Sequence, residues 1–262
     1  MSSRAESRGP DGDGRWWGRP VAEIRWQLEL ARLLADPVLR GAGIPRGDGR
    51  PVVLMPGFLA GDQTLIVLAA WLRRVGYRPY GCRFVANVEC SDRALARVQE
   101  RVVGVTARHG RRVALIGHSR GGHYARALGA CRPDLVSHAV SMGAGLTAML
   151  DISYPTEIAV AAARAVARRR AGARDPRCLT EACDCAFARG FRAPFPADRV
   201  RLTSIYSRGD GVVRWPAAIV AEGDNVEVTG SHVGLVFNRK AYRAIGAALT
   251  APELSPPAHT DH

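Results

Sequence analysis

At 262 residues with 47% hydrophobic composition, the chain is long enough for one large α/β domain and apolar enough for a sizeable core, which excludes a disordered or fibrous protein. The net charge is +13, yet Lys240 is the one lysine, and the arginines that supply the rest are spread along the whole chain among much Ala and Gly. That spread reads as background composition and not as the concentrated stripe of a nucleic-acid face, so no nucleic-acid partner is expected.

Residues 1–19 read as a flexible tail without the apolar centre of a signal peptide. No run approaches the roughly 18 apolar residues of a membrane span, and a cytoplasmic protein is the expectation. Residues 20–50 read as an N-terminal helix and linker. Pro20 suits the helix start, and Val21, Ile24, Leu28, Ala31 and Leu34 recur at helical spacing. Trp16, Trp17 and Trp26 are expected to staple this helix to the body, with a lipid-surface contact as the alternative.

From residue 51 to 249 strands and helices alternate. "PVVLM" is a short buried strand, 62–75 a helix, and "YRPYGCRF" a strand interrupted by proline. Residues 91–109 suit a helix with Ser91 as N-cap. "RVALIG" is a strand, 119–131 a helix, and "VSHAVSMG" a strand. Residues 146–197 break the rhythm and read as a cap or lid insertion. Its apolar residues Leu146, Met149, Leu150, Ile152, Ile158, Phe187, Phe191 and Phe195 are expected to line an acyl pocket or pack on the body. Arg168, Arg169 and Arg170 form the one notable basic run, expected on a solvated helix face, with contact to an anionic surface or lipid headgroups as the alternative. Strands "VRLTSIYS" and "NVEVTG" and a helix over 239–249 complete the domain, and 250–262 reads as a tail. This alternation predicts the α/β class, with a mostly parallel central sheet flanked by helices.

The chemistry centres on "ALIGHSRGGHYA". Gly117-His118-Ser119-Arg120-Gly121 fits G-x-S-x-G between a strand and a helix. A sharp strand-to-helix turn exposes the serine at its apex, and glycines two residues either side relieve the crowding. Serine is a poor nucleophile until a base takes its proton. His232, in "TGSHVGL" before the last helix, is the expected base, whereas His259 lies in the Pro-rich tail. His118 and His123 are expected to line the pocket or pack. Asp210, in "SIYSRGDGVVRW", is the expected acid that orients the imidazole. Asp224 stands before its strand, at the wrong end of the sheet, and Asp184 lies in the insertion. A tetrahedral intermediate needs two N–H donors, expected from Arg120 and from Phe58 in the loop after the first strand, with Leu59 as the neighbouring alternative.

Cys178, Cys183 and Cys185 cluster in "CLTEACDCAF" without the paired C-x-x-C units of a zinc site. Packing thiols are expected, with a disulfide as the alternative. Cys82 and Cys90 are close enough in sequence for a bridge in an exported protein.

"LMPGFLAGD", "LIGHSRGG", "SIYSRGDGVV" and "GSHVGL", over roughly 51–249, resemble the serine hydrolases of the α/β-hydrolase superfamily, and among them its bacterial lipase and esterase branch. Pro56 departs from the histidine that many members carry before the oxyanion glycine. The resemblance implies transfer of an acyl group to Ser119 and hydrolysis by a water that His232 activates, with no metal or cofactor. It implies a small-molecule or lipid ester as substrate and an ester hydrolase as the class. Acyl transfer or thioester cleavage on the same triad, or a silent hydrolase-fold binding protein, are the rival readings.

Overall fold

The computed structural model describes residues 16–171, 180 and 183–255. The chain before residue 16, Cys178, His259 and the end from 256 lie outside the described residues, as do the side chains of Arg168, Arg169 and Arg170.

Six strands form one parallel sheet: β1 Pro51–Met55, β2 Arg78–Gly81, β3 Val113–His118, β4 Val136–Met142, β5 Arg201–Tyr206 and β6 Asp224–Glu227, in the order β2-β1-β3-β4-β5-β6. The helices are α1 Pro20–Glu23, α2 Trp26–Ala35, α3 Ile66–Arg74, α4 Ser91–His109, α5 Arg120–Cys131, α6 Tyr154–Ala171, α7 Ala186–Arg192 and α8 Arg239–Thr250. Alternate residues of β1 and β3 feed two cores. Val53, Met55, Val113 and Leu115 meet α4, α5 and α7, whereas Val52, Leu54, Ala114 and Ile116 meet α2, α3 and α8. A strand buried on both faces reads as an unbroken apolar run, as "PVVLM" does. On the second face Trp71 and Tyr242 are fully buried with ring centroids 4.7 Å apart. Each large apolar side chain buried in this way contributes about 1.5–3 kcal/mol.

Pro79 is tolerated because β2 is an edge strand. Ser91 is the first residue of α4, and Cys90 occupies the N-cap, which corrects the expected capping role. The Ser91 hydroxyl accepts instead from Arg120. Among the apolar residues of 146–197, Leu146, Phe187, Phe191 and Phe195 are buried in the first core, while Ile158 stays 52% exposed.

The N-terminal helix differs most from its sequence pattern. It breaks between Glu23 and Trp26, and its apolar stripe faces outward: Val21, Ile24, Leu28, Ala31 and Leu34 are all exposed. The inward residues are Leu33 and two carboxylates, Glu23 and Glu29. Trp26 does pack on Phe237, with ring centroids 5.8 Å apart, and Trp17 on Tyr154, at 5.0 Å. Hydrogen bonds from loop amides to the inward carboxylates fix this face, and hydrophobic periodicity does not.

The sheet order reverses where β1 and β3 lie side by side. Their carboxyl ends therefore open a crevice between helices that leave on opposite faces, which is where open α/β sheets bind ligands.

Candidate active site

Ser119 follows β3 and precedes α5 with φ 51° and ψ −122°, a strained backbone for a residue with a side chain. The turn holds because its amide donates to the Met142 carbonyl at 2.7 Å. The flanking glycines have no room for side chains. A Cβ on Gly117 would lie 2.1 Å from the Gly121 carbonyl, and one on Gly121 would lie 2.2 Å from the Met55 oxygen. The G-x-S-x-G spacing is thus a steric requirement of packing α5 against β1 and β3.

Asp210 and His232 come from the loops after β5 and β6. His232 Nδ1–H donates to Asp210 Oδ2 at 2.7 Å, and both residues are buried. Asp210 Oδ1 accepts from the amides of Val212 and Val213 at 2.8 Å each. These bonds fix the carboxylate and, through it, the imidazole tautomer. Burial disfavours a charged His232, but the Asp210 charge and hydrogen bond, with a smaller contribution from Glu23, outweigh it and raise its pKa above the ordinary histidine value. A more basic imidazole is a better proton acceptor for a hydroxyl.

His118 links the two halves. Its Nε2–H donates to the His232 carbonyl at 2.9 Å, and the two rings lie 4.9 Å apart. Burial, with the neighbouring His232 charge, pushes its pKa down to about 3, so it is neutral. His123 is likewise buried, down to about 3, and edge-on to Phe191. Neither meets the carboxylate. Among the described residues the Ser119 hydroxyl has no hydrogen-bond partner; contacts of this kind often close only when substrate is bound.

The loop after β1 sits against the serine. A Cβ built on Gly57 would be 3.1 Å from Ser119 Cβ, so the residue that precedes Phe58 packs directly on the serine. The Leu59 amide is already engaged with the Asn87 carbonyl at 3.3 Å, which removes the alternative donor. Arg120 opens α5, in the first turn, where amides have no partner inside the helix.

The rival acids lie elsewhere. Asp224 begins β6, exposed, and pairs in register with Thr203 near the start of β5. Asp184 is exposed beside Arg189 and Arg192. Cys183 and Cys185 sulfurs touch at 3.4 Å, well beyond the roughly 2.05 Å of a disulfide. No disulfide joins Cys82 to Cys90. Burial pushes both the Cys82 and the Cys185 thiol up to about 12, as packing thiols require.

No family model matches the chain. Solved structures do. A mature lipase of Bacillus licheniformis superposes with a TM-score of 0.57 at 14% identity, over 79% of this chain and 95% of that one. The chain has the α/β-hydrolase fold. A monoacylglycerol lipase of Paleococcus ferrophilus gives 0.52 at 16% identity over 79% and 96%, and a carboxylesterase of Bacillus subtilis gives 0.50 at 10% over 88% and 99%.

Within this hydrolase fold, two organising side chains escape sequence reading. The Arg120 guanidinium donates to the carbonyls of Asn87 and Glu89, at 2.8 and 2.5 Å, and to Ser91 Oγ at 3.1 Å. Asn87, fully buried, donates to the Pro56 carbonyl at 2.9 Å and accepts from Tyr124 at 3.1 Å. Together they fix the loop that carries Phe58. An arginine at the variable position of the motif and an asparagine in "FVANVE" were the available signals.

Proposed function

We propose that the protein is a serine hydrolase of carboxylic esters. Ser119 Oγ attacks the acyl carbonyl while His232 Nε2 takes its proton. Asp210 holds the imidazolium that forms. The amides of Phe58 and Arg120 bind the oxyanion, aided by the positive end of α5. His232 then protonates the departing alcohol, and water, activated by the same nitrogen, releases the acid from Ser119. The observation that carries this reading is the buried Asp210–His232 bond of 2.7 Å, tied through the His118–His232 bond of 2.9 Å to the strand that leads into a serine held at φ 51°.

The acyl group is apolar in this reading. A cavity of about 230 Å³ opens at the carboxyl edge of the sheet, lined by Ser91, Thr147, Met149, Leu150, Phe187 and Phe191. It is smaller than the roughly 300–1,000 Å³ of drug-sized sites, which suits a short or medium chain. The insertion 146–197 supplies most of its wall, as a cap over the acyl site.

The ester is presented at an anionic lipid surface. Trp17, Val21, Ile24 and Leu28 are 48–78% exposed at helical spacing, and Arg19, Arg25 and Arg32 flank them, also exposed. Apolar side chains with arginines beside them match acyl chains below anionic headgroups.

Hydrolysis of p-nitrophenyl esters of graded chain length, by the wild type and Ser119→Ala, tests the reaction. The expected result is activity with a short-to-medium optimum that Ser119→Ala abolishes, and fluorophosphonate labelling of Ser119. Folded protein that neither hydrolyses nor labels would move the reading to a binding protein.

A further inference from the structure

The N-terminal segment carries two carboxylates that end on the catalytic loops. Glu23 Oε1 accepts from the amides of Gly211 and His232, at 3.0 Å each, and Oε2 accepts from Val233 at 2.8 Å. One carboxylate thereby bridges the loop of the acid and the loop of the base. Glu29 accepts from the Ser231 amide at 2.9 Å and from the Ser231 hydroxyl at 2.8 Å. The partners are about two hundred residues apart in sequence.

The loops are shaped for these groups. A Cβ on Gly234 would fall 1.2 Å from Glu29 Oε2, and one on Gly211 would fall 2.9 Å from Glu23 Oε1. On the other side, a Cβ on Gly18 would fall 2.0 Å from the Gly211 carbonyl, so the segment lies flush against the acid loop. Burying a carboxylate without donors is costly, and each of these is met by backbone or hydroxyl donors.

We infer that Glu23 is a positioning residue for His232 and that Glu29 supports it through Ser231, so that the segment 16–36 is a working part of the active site. This rests on the hydrolase reading above. Glu23 contributes in two ways. Its three hydrogen bonds hold the base in register with the acid. Its charge, with that of Asp210, favours the imidazolium that proton transfer creates. The charged and titratable groups that face His232 are Asp210 on Nδ1, Glu23 from the segment and the neutral His118 from β3. Glu29 reaches the loop one residue earlier and acts on position.

The test is Glu23→Gln in the full chain, read in two ways. The His232 ring is titrated by NMR in protein labelled at histidine, with His232→Asn to assign the signal. In parallel, kcat/KM for the best p-nitrophenyl ester is measured against pH. The expected result is a His232 titration displaced to lower pH, an acid limb displaced in the same direction, and a loss in kcat/KM of about ten- to a hundredfold. Glu29→Gln is expected to lower kcat while the acid limb stays in place. An unmoved His232 titration with kcat/KM within about twofold of wild type would overturn the proposal. If Glu23→Gln does not fold, hydrogen exchange in the wild type decides: slow exchange at Gly211, His232 and Val233 supports the clamp, and exchange at the rate of an open loop overturns it. Displacement of the His232 titration in a protein that hydrolyses no ester would keep the clamp and reject the hydrolase reading.

Discussion

Arg120 and Asn87 meet through a 2.8 Å bond from guanidinium to backbone carbonyl, so the residue after Ser119 also ties down the loop that holds Asn87. The same side chain bonds Glu89 and Ser91 and lies over the Tyr124 ring, its guanidinium carbon 5.6 Å from the centroid. Arg120 is buried, so Arg120→Met removes the donor from the Glu89 carbonyl and the Ser91 hydroxyl and leaves the Asn87 carbonyl the Leu59 amide alone. Each acceptor that loses its donor costs about 1–3 kcal/mol. The expected outcome is a lowered Tm and a fall in kcat larger than the change in KM, because the Phe58 amide loses its fixed position. Thermal unfolding and steady-state kinetics read both, and an unaltered kcat in a destabilised protein would confine Arg120 to stability.

How far the sequence reveals this site depends on the range of each interaction. The serine turn is legible because its pattern is local: Gly117 is kept bare by Gly121 and Gly122 of the same stretch, although Gly121 answers to Met55 of β1. The placement of Asp210 and His232 on loops after strands follows from the alternation of elements, whereas the order of the strands in the sheet does not. The face of the N-terminal helix is not legible, because periodicity marks an apolar side without saying which way it turns. Val21, Ile24 and Leu28 go outward because Glu23 and Glu29 find amide donors inward. Asn87 and the Arg120 side chain act through backbone carbonyls, which sequence composition does not display.

Three buried histidines make stability depend on acid. Burial pushes His118 and His123 down to about 3 and His138 to about 4, with the nearby charges of His232, Arg120 and Arg50 acting in the same direction. Their folded-state values lie below the unfolded value of about 6.5. The neutral forms therefore stabilise the fold fully above that value, and the contribution is lost as pH falls through 6.5 toward 4 and 3. Each histidine costs about 1.4 kcal/mol per pH unit over that range. His232 has the opposite sign: its raised value favours the fold at low pH and fades as pH rises through it. Urea unfolding at pH 7, 6 and 5 should show a steep loss below 6.5, and His123→Phe should reduce the slope by about one histidine's share. A flat profile would mean that these rings gain protons in the fold as easily as outside it.

Two glycine substitutions separate packing from propensity. Gly121→Ala would set a methyl 2.2 Å from the Met55 carbonyl oxygen, and backbone there cannot yield without moving α5 off β1. The expected result is a loss of stability of several kcal/mol, or no folded protein, with loss of Ser119 labelling. Gly104, in α4, has nothing within 4 Å of its Cβ position and is exposed. Gly104→Ala should raise stability by about 0.5–1 kcal/mol, since alanine loses less backbone freedom in a helix. Melting curves of both variants check this, and tolerance of alanine at 121 would show that α5 does not sit as tightly on β1 as the geometry requires.

The outward stripe gives the surface-binding reading its own measurement. Val21, Ile24 and Leu28 stand 58–78% exposed on the segment whose inner face holds His232, so a lipid surface that took them up would lie beside the His232 loop. Arg19, Arg25 and Arg32 flank the stripe and favour anionic headgroups, by about 1 kcal/mol for each arginine near the surface. Co-sedimentation is therefore expected with phosphatidylglycerol vesicles, weaker with phosphatidylcholine, and weakened by raised salt. The double variant Ile24→Asp, Leu28→Asp should lose binding to both, with a melting curve to confirm that it folds. Equal retention of wild type and variant would exclude the stripe as the contact. A wild type that binds neither vesicle but sediments as a dimer, which the variant does not form, would assign the stripe to a second copy of the chain.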